Sequence, residues 1–305
     1  MKKFLTKFFY LLLPLIVWGI LIAIIDPFNY FGFEVFQRSA KKEAESLNTL
    51  IYRTIDYVNE PCENVIFGDS RTYNIPLERI EEISKRKYKK LNTNGAKLNE
   101  IFDLFYFANS KTPIKRVVIG INFNMFNKFG HEDRVEGVKR MLNNPFMYVY
   151  NKDVAEAAYS TIKYTFTDKK PDFAPPMSRK EFWDWSINTK ASHWYGKYAF
   201  PEKLYSQLLN FDKFAKANKI DVIFIIVPHH SDFHKRLVDF GLQKEEAKFK
   251  QIMSGLSAKV YDFDYVNSIT SNTVNFEDPI HYTNAVGNTI VNEIWTNKLI
   301  IGKEI

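Results

Sequence analysis

Residues 8–25 read FFYLLLPLIVWGILIAII, an 18-residue run without a charge, and no other stretch restricts the chain so strongly. A run of this length reaches the lower limit for a helix that crosses a bilayer. Lys2, Lys3 and Lys7 precede it and Asp26 follows it. That asymmetry predicts a cytoplasmic N-terminus and everything after Asp26 outside. Pro14 and Gly19 inside the run are tolerated in membrane helices. The alternatives are a cleaved signal peptide or a buried core helix. No small-x-small cleavage site follows, since the chain continues Asp26-Pro27-Phe28-Asn29. A helix apolar all round and flanked by lysines is also hard to place at the start of a soluble domain. The reading is therefore a retained, single-pass anchor in the cell membrane: residues 1–7 cytoplasmic, 8–25 spanning, and the rest extracytoplasmic.

Beyond the anchor, 46% hydrophobic residues, 27 phenylalanines and 17 tyrosines supply a packed core and argue against disorder. One cysteine, Cys62, excludes an intrachain disulfide framework and a cysteine-rich zinc site. The net charge of +7 is spread along the chain with no nucleic-acid module beside it, so no nucleic-acid partner is expected. Residues 26–60 read as a linker carrying one helix from Arg38 to Tyr57, and residues 61–305 as the main domain.

In that domain short apolar runs alternate with longer amphipathic segments, the pattern of parallel strands joined by crossover helices. The runs are Asn64–Phe67, Tyr88–Leu91, Val117–Ile121, Val222–Val227 and Val260–Phe263. Leu204, Leu208, Phe211 and Phe214 predict one helix face, and Val286, Ile290 and Ile294 another. The interval between the third and fourth strands is too long for a crossover and is read as an inserted cap over about 124–201. Trp183, Trp185 and Trp194 lie in it and are candidate stacking surfaces for sugar rings; packing into the cap's own core is the competing expectation.

The first strand runs into Gly68-Asp69-Ser70-Arg71. A serine there sits at the carboxyl edge of a parallel sheet, where α/β folds bind ligands. Serine needs a base to become a nucleophile, and the base needs an orienting group. After the fifth strand come Asp278-Pro279-Ile280-His281, with the carboxylate three residues before the imidazole on one loop. Gly95 after the second strand and Asn122 after the third are candidate donors to an oxyanion, one by backbone and one by side-chain amide.

Gly68-Asp69-Ser70, Gly95, Gly120-x-Asn122 and Asp278-x-x-His281, in this order, resemble the four blocks of the SGNH/GDSL hydrolase family. The resemblance spans roughly residues 60–300 outside the cap. It implies a three-layer α/β fold, a five-stranded parallel sheet with helices on both faces, and the large insertion between strands 3 and 4. It further implies Ser70 as nucleophile and oxyanion donor, Gly95 and Asn122 completing the oxyanion hole, His281 as base, Asp278 as its orienting acid, and no cofactor. Arg71 and Phe123 depart from the common pattern, where leucine and aspartate are usual. With the lone N-terminal anchor, the chain is similar to membrane-anchored members that work beside membrane-bound O-acyltransferases in alginate O-acetylation and D-alanyl transfer.

The expectation is a serine O-acyltransferase or esterase acting on a cell-envelope polysaccharide, with a membrane-bound O-acyltransferase as possible partner. The alternative is a catalytically silent glycan-binding or partner subunit. His229 and His230, after the fourth strand, are expected on the rim of the cleft as substrate contacts. His230 and His234 share a helical spacing that could hold a metal, but no third ligand stands nearby in sequence and no metal is expected.

Overall fold

The computed structural model describes residues 2–169 and 177–305. The chain divides into two compact units, residues 1–60 with 134–175, and residues 61–133 with 176–305.

The second unit is built on a sheet of β1 (Asn64–Gly68), β2 (Lys89–Asn92), β3 (Arg116–Ile121), β4 (Asp221–Ile226), β5 (Lys259–Asp262) and β6 (Lys303–Glu304). Their order is β2-β1-β3-β4-β5-β6. The five strands expected from the sequence occur within one residue of the predicted limits and run parallel. The sheet differs from the expectation of five parallel strands by β6, which pairs antiparallel with β5 through Tyr261 opposite Glu304 and Asp262 opposite Lys303. Two exposed, charged residues on a sheet edge carry no hydrophobic pattern to reveal them.

The interior strands are buried because helices cover both faces. On one face Phe67 meets Phe105 of helix Leu98–Lys111, and Phe224 meets Phe211 of helix Glu202–Ala217. On the other, Ile66, Val118, Ile223 and Ile225 pack with Ile80 of helix Leu77–Ser84 and with Val286, Ile290 and Ile294 of helix Asn284–Trp295. The strand order reverses at β1, between β2 and β3. A reversal of this kind opens a crevice at the carboxyl ends of the strands.

Thr72 seats the chain there. A Cβ on Gly68 or Gly120 would meet Thr72 Cγ2 at 2.4 and 2.2 Å, so the threonine fills the space that both glycines leave. Its hydroxyl donates to Asp69 O and accepts from Asn92 Nδ2, each at 2.7 Å. The turn Ser70–Asn74 is thereby tied to three strand ends.

The first unit is helical. Helix Lys2–Ile25 contains the uncharged run and is long and apolar enough to cross a membrane. The single helix expected over Arg38–Tyr57 is two, Arg38–Glu45 and Thr49–Asn59, because Asn48 caps the second by accepting from Ile51 N at 3.0 Å. The interval read as one cap is divided: helices Arg134–Leu142, Pro145–Val149 and Lys152–Thr167 belong with the N-terminal helices, and the tryptophan-bearing part from residue 177 onward belongs with the sheet.

Candidate active site

Ser70 follows β1 as the first residue of a short 3-10 turn whose N-cap is Asp69; the Asp69 carboxylate accepts from Arg71 N at 3.0 Å. The first N–H groups of such a turn have no acceptor within it. Ser70 Oγ lies 2.8 Å from His281 Nε2, and His281 Nδ1 lies 2.6 Å from Asp278 Oδ2. The other Asp278 oxygen accepts from the backbone of Ile280 at 2.9 Å and of His281 at 3.1 Å. Burial opposes ionisation of Asp278, but the His281 contact and these two amides outweigh it and hold the carboxyl below its usual range. An ionised Asp278 accepts only, so the imidazole proton sits on Nδ1 and Nε2 is left to accept from the Ser70 hydroxyl.

The loop that carries His281 is fixed against its surroundings. His230 N donates to Pro279 O at 2.9 Å, Asn74 Nδ2 donates to Tyr282 O at 2.5 Å, and Thr283 N, just before the helix that follows, donates to Asn275 O at 2.9 Å. That helix approaches the Ser70 turn so closely that a Cβ on Gly287 would stand 1.7 Å from Asn74 O.

A cavity of about 430 Å³ opens beside the serine, lined by Ser70, Tyr73, Asn74, Asn94, Gly95, Lys190, Glu277 and His281. Gly95 has a φ of +61°, a conformation that suits glycine, with open space where a side chain would be. Asn122, expected as the third oxyanion donor, is not among these lining residues. It is fully buried, and its Nδ2 donates to Val227 O at 2.6 Å and Asp264 Oδ2 at 3.1 Å. Both N–H groups therefore tie together the ends of β3, β4 and β5 in this conformation.

His229 and His230 are not on a rim either; each is 3% exposed. His229 belongs to a buried polar chain that begins at the serine turn. Arg71, 2% exposed, pairs with Asp69 through Nε at 3.0 Å and Nη2 at 2.8 Å, and its Nη1 donates to Asn124 Oδ1 at 2.9 Å and His229 Nε2 at 2.7 Å. A guanidinium can only donate, so His229 is protonated on Nδ1, which faces Asp264 Oδ2 at 3.0 Å. Burial depresses the His229 pKa, against the pull of Asp264, and keeps the ring neutral. Burial also opposes ionisation of Asp69 and Asp264, but Arg71 in one case and His229 with His234 in the other hold both carboxyls low. Sequence reading left Asp69 and Arg71 without a role; the structure makes them the bracket of the serine turn. His230 accepts from Asp232 N at 3.2 Å and so caps its own helix.

Among the described residues the group whose ligand atoms lie close enough to hold a metal is His234, Glu246 and Asp264; of the pair weighed in the sequence, His230 and His234, only His234 belongs to it. Lys250 already supplies the positive charge there, with Nζ 2.8 Å from Asp262 Oδ2 and 2.6 Å from Asp264 O.

The tryptophans do not form one platform. Trp183 packs edge-on against His230 at 4.9 Å, and Trp194 lies under the Arg71 guanidinium at 5.5 Å and against Phe233 at 5.3 Å. Trp185 is exposed. Trp194 also lines a second cavity of about 410 Å³, together with Asn124, Asn127 and His193. Sequence reading missed Lys190, which lines the serine cavity with Nζ 5.1 Å from the Trp194 ring centre. Burial lowers its pKa, against the pull of Asp278 and Asp69. Apart from its place between two tryptophans, nothing in the sequence separates this lysine from the others.

No family model matches the sequence. No curated protein matches it either. Among solved structures, a GDSL-like lipase from Bacteroides thetaiotaomicron is similar with a TM-score of 0.41 and 12% identity, covering 82% of this chain and 100% of that one. A candidate lipolytic protein of the G-D-S-L family from Desulfitobacterium hafniense gives 0.39 and 12%, covering 78% and 99%. A candidate SGNH hydrolase from Slackia heliotrinireducens gives 0.38 and 11%, covering 76% and 96%. Likeness this distant leaves function to be read from the side chains of this chain.

Proposed function

We propose that this chain is a serine-dependent acylesterase or O-acyltransferase, tethered by its N-terminal helix with the sheet unit outside the cytoplasm, and acting on a cell-envelope polysaccharide. The observation that carries the chemistry is the chain of contacts from Ser70 Oγ through His281 to Asp278 at 2.8 and 2.6 Å. Ser70 Oγ attacks the ester carbonyl and its proton passes to His281 Nε2, while Asp278 stabilises the imidazolium. The Ser70 and Gly95 backbone amides are the donors this reading assigns to the developing oxyanion. Collapse expels the alcohol, which takes the proton from His281, and leaves acyl-Ser70. A sugar hydroxyl or water then attacks, gives its proton to His281, and the serine is released with its proton restored.

The envelope acceptor is supported by the helix Lys2–Ile25 and the lysines around it. A tethered domain outside the cytoplasm has no access to acyl-CoA, so a membrane-bound O-acyltransferase would deliver the acyl group, as in the alginate and D-alanyl systems that the sequence resembles. One observation favours the alternative of a silent partner subunit: the Asn122 amide is committed to Val227 and Asp264 and leaves two backbone donors for the oxyanion. A fluorophosphonate probe separates the two readings. Covalent labelling of the full chain that disappears in Ser70→Ala supports the enzyme. No labelling of the folded wild-type chain supports the silent subunit.

A further inference from the structure

In the first unit the short helix Pro145–Val149 and the following Tyr150 lie along the N-terminal helix. Tyr150 Oη donates to Leu15 O at 2.9 Å, and a Cβ on Gly19 would stand 3.1 Å from the same hydroxyl. Gly19 precedes Ile25 by six residues, about 9 Å along a helix axis at 1.5 Å per residue. The hydroxyl of Tyr150 is thus held well inside the length of the uncharged run, not at its end. Two residues earlier, the buried Tyr148 donates to Asp26 Oδ1 at 3.1 Å and accepts from Phe28 N at 3.2 Å, both at the point where the helix ends. The segment therefore descends from the helix end toward its middle.

The exposed side chains on this segment are apolar or aromatic. Phe146 is 73% exposed and Met147 is also exposed. Asn144 caps the short helix from one side by accepting from Phe146 N at 3.1 Å, and Asn151 caps the next from the other. An apolar tip between polar caps, on a segment whose Tyr150 hydroxyl lies alongside a membrane span about 9 Å below its end, has the build of an interfacial element that buries its apolar side at the headgroup and acyl boundary.

We propose that Pro145–Tyr150 is a second membrane contact, inserted in the outer half of the bilayer beside the anchor, with Phe146 and Met147 meeting lipid acyl chains. The first unit is then fixed to the membrane surface instead of swinging on a single helix. This rests on reading Lys2–Ile25 as a membrane span, and the test keeps the two apart. In full-length Cys62→Ser protein reconstituted in phosphatidylcholine vesicles, an environment-sensitive fluorophore is attached at Phe146→Cys or, separately, at Leu21→Cys on the exposed side of the anchor. Phosphatidylcholine with a nitroxide high on its acyl chain is the quencher. Both labels are expected to emit to the blue of the dye in water and to lose intensity to the nitroxide lipid. Quenching at Leu21 with water-like emission at Phe146 overturns the second contact alone. Blue-shifted emission at Phe146 without quenching means that protein covers the segment, which also overturns it. No quenching at Leu21 overturns the span itself.

Discussion

Gly287 offers a test of whether the closeness of two elements, and not only the identity of three side chains, sets the site. In Gly287→Ala the new Cβ would stand 1.7 Å from Asn74 O, where ordinary contact begins at 3.4 Å. Backbone meets backbone here, so no side chain can swing aside. Helix Asn284–Trp295 and the turn Ser70–Asn74 must separate by more than an ångström. Ser70 rides on the turn and His281 lies just before the helix, with Asn74 Nδ2 donating to Tyr282 O between them. The separation therefore opens the Ser70–His281 contact directly. Overpacking costs about 1–3 kcal/mol, and a misplacement of about 1 Å in a reacting geometry costs about 10²-fold in rate. The expected result is a folded protein whose Tm falls by several degrees and whose kcat on an activated ester falls about a hundredfold. Wild-type kcat together with wild-type Tm would mean that the contact between helix and turn does not set the site.

Arg71→Met leaves the Asp69 carboxylate buried without its partner and is expected to cost about 3–5 kcal/mol in urea unfolding; a loss near zero would mean that the pair does not bracket the turn. Asp69, Asp264 and Asp278 are all held below the ordinary carboxyl value in the fold, so the unfolded chain binds more protons as acid is added. Their stabilisation is fully present above about pH 3.9 and is lost as pH falls through the folded values. A urea midpoint that does not fall with pH in that acid range would contradict this. His234 has the opposite sign: burial lowers its pKa, but Asp264 raises it more, so its contribution is present below about pH 6.5 and fades as pH rises through the folded value. Lys190→Met removes the cation facing the serine cavity and is expected to reduce the preference for an anionic over a neutral ester, read as the ratio of their kcat/KM values, by about fivefold for an attraction of about 1 kcal/mol. An unchanged ratio would show that Lys190 does not face the substrate.

The parts of the fold that could be read from sequence are those where one physical pattern dominates. β3 and β4 are apolar beyond their first residues, Arg116 and Asp221, because they are buried on both faces, and Ser70, Gly95, Asn122 and His229 follow strand ends because a parallel sheet gathers its carboxyl ends. What stayed hidden depends on long-range partners. Arg71 looks like a surface residue until Asp69, Asn124 and His229 surround it, and Asn122 looks like a free loop amide until Asp264 claims it. The division of the insertion was also hidden. Helix Lys152–Thr167 packs with Arg38–Glu45, more than a hundred residues earlier, and neither segment signals the other.

Whether Ser70 and His281 act as one device is read from kcat/KM for a small activated ester in Ser70→Ala, His281→Ala and the double variant. Similar large losses are expected in the two single variants and no further loss when they are combined, all with wild-type circular dichroism. Near-wild-type kcat/KM in either single variant, or losses that multiply in the double, would contradict that expectation.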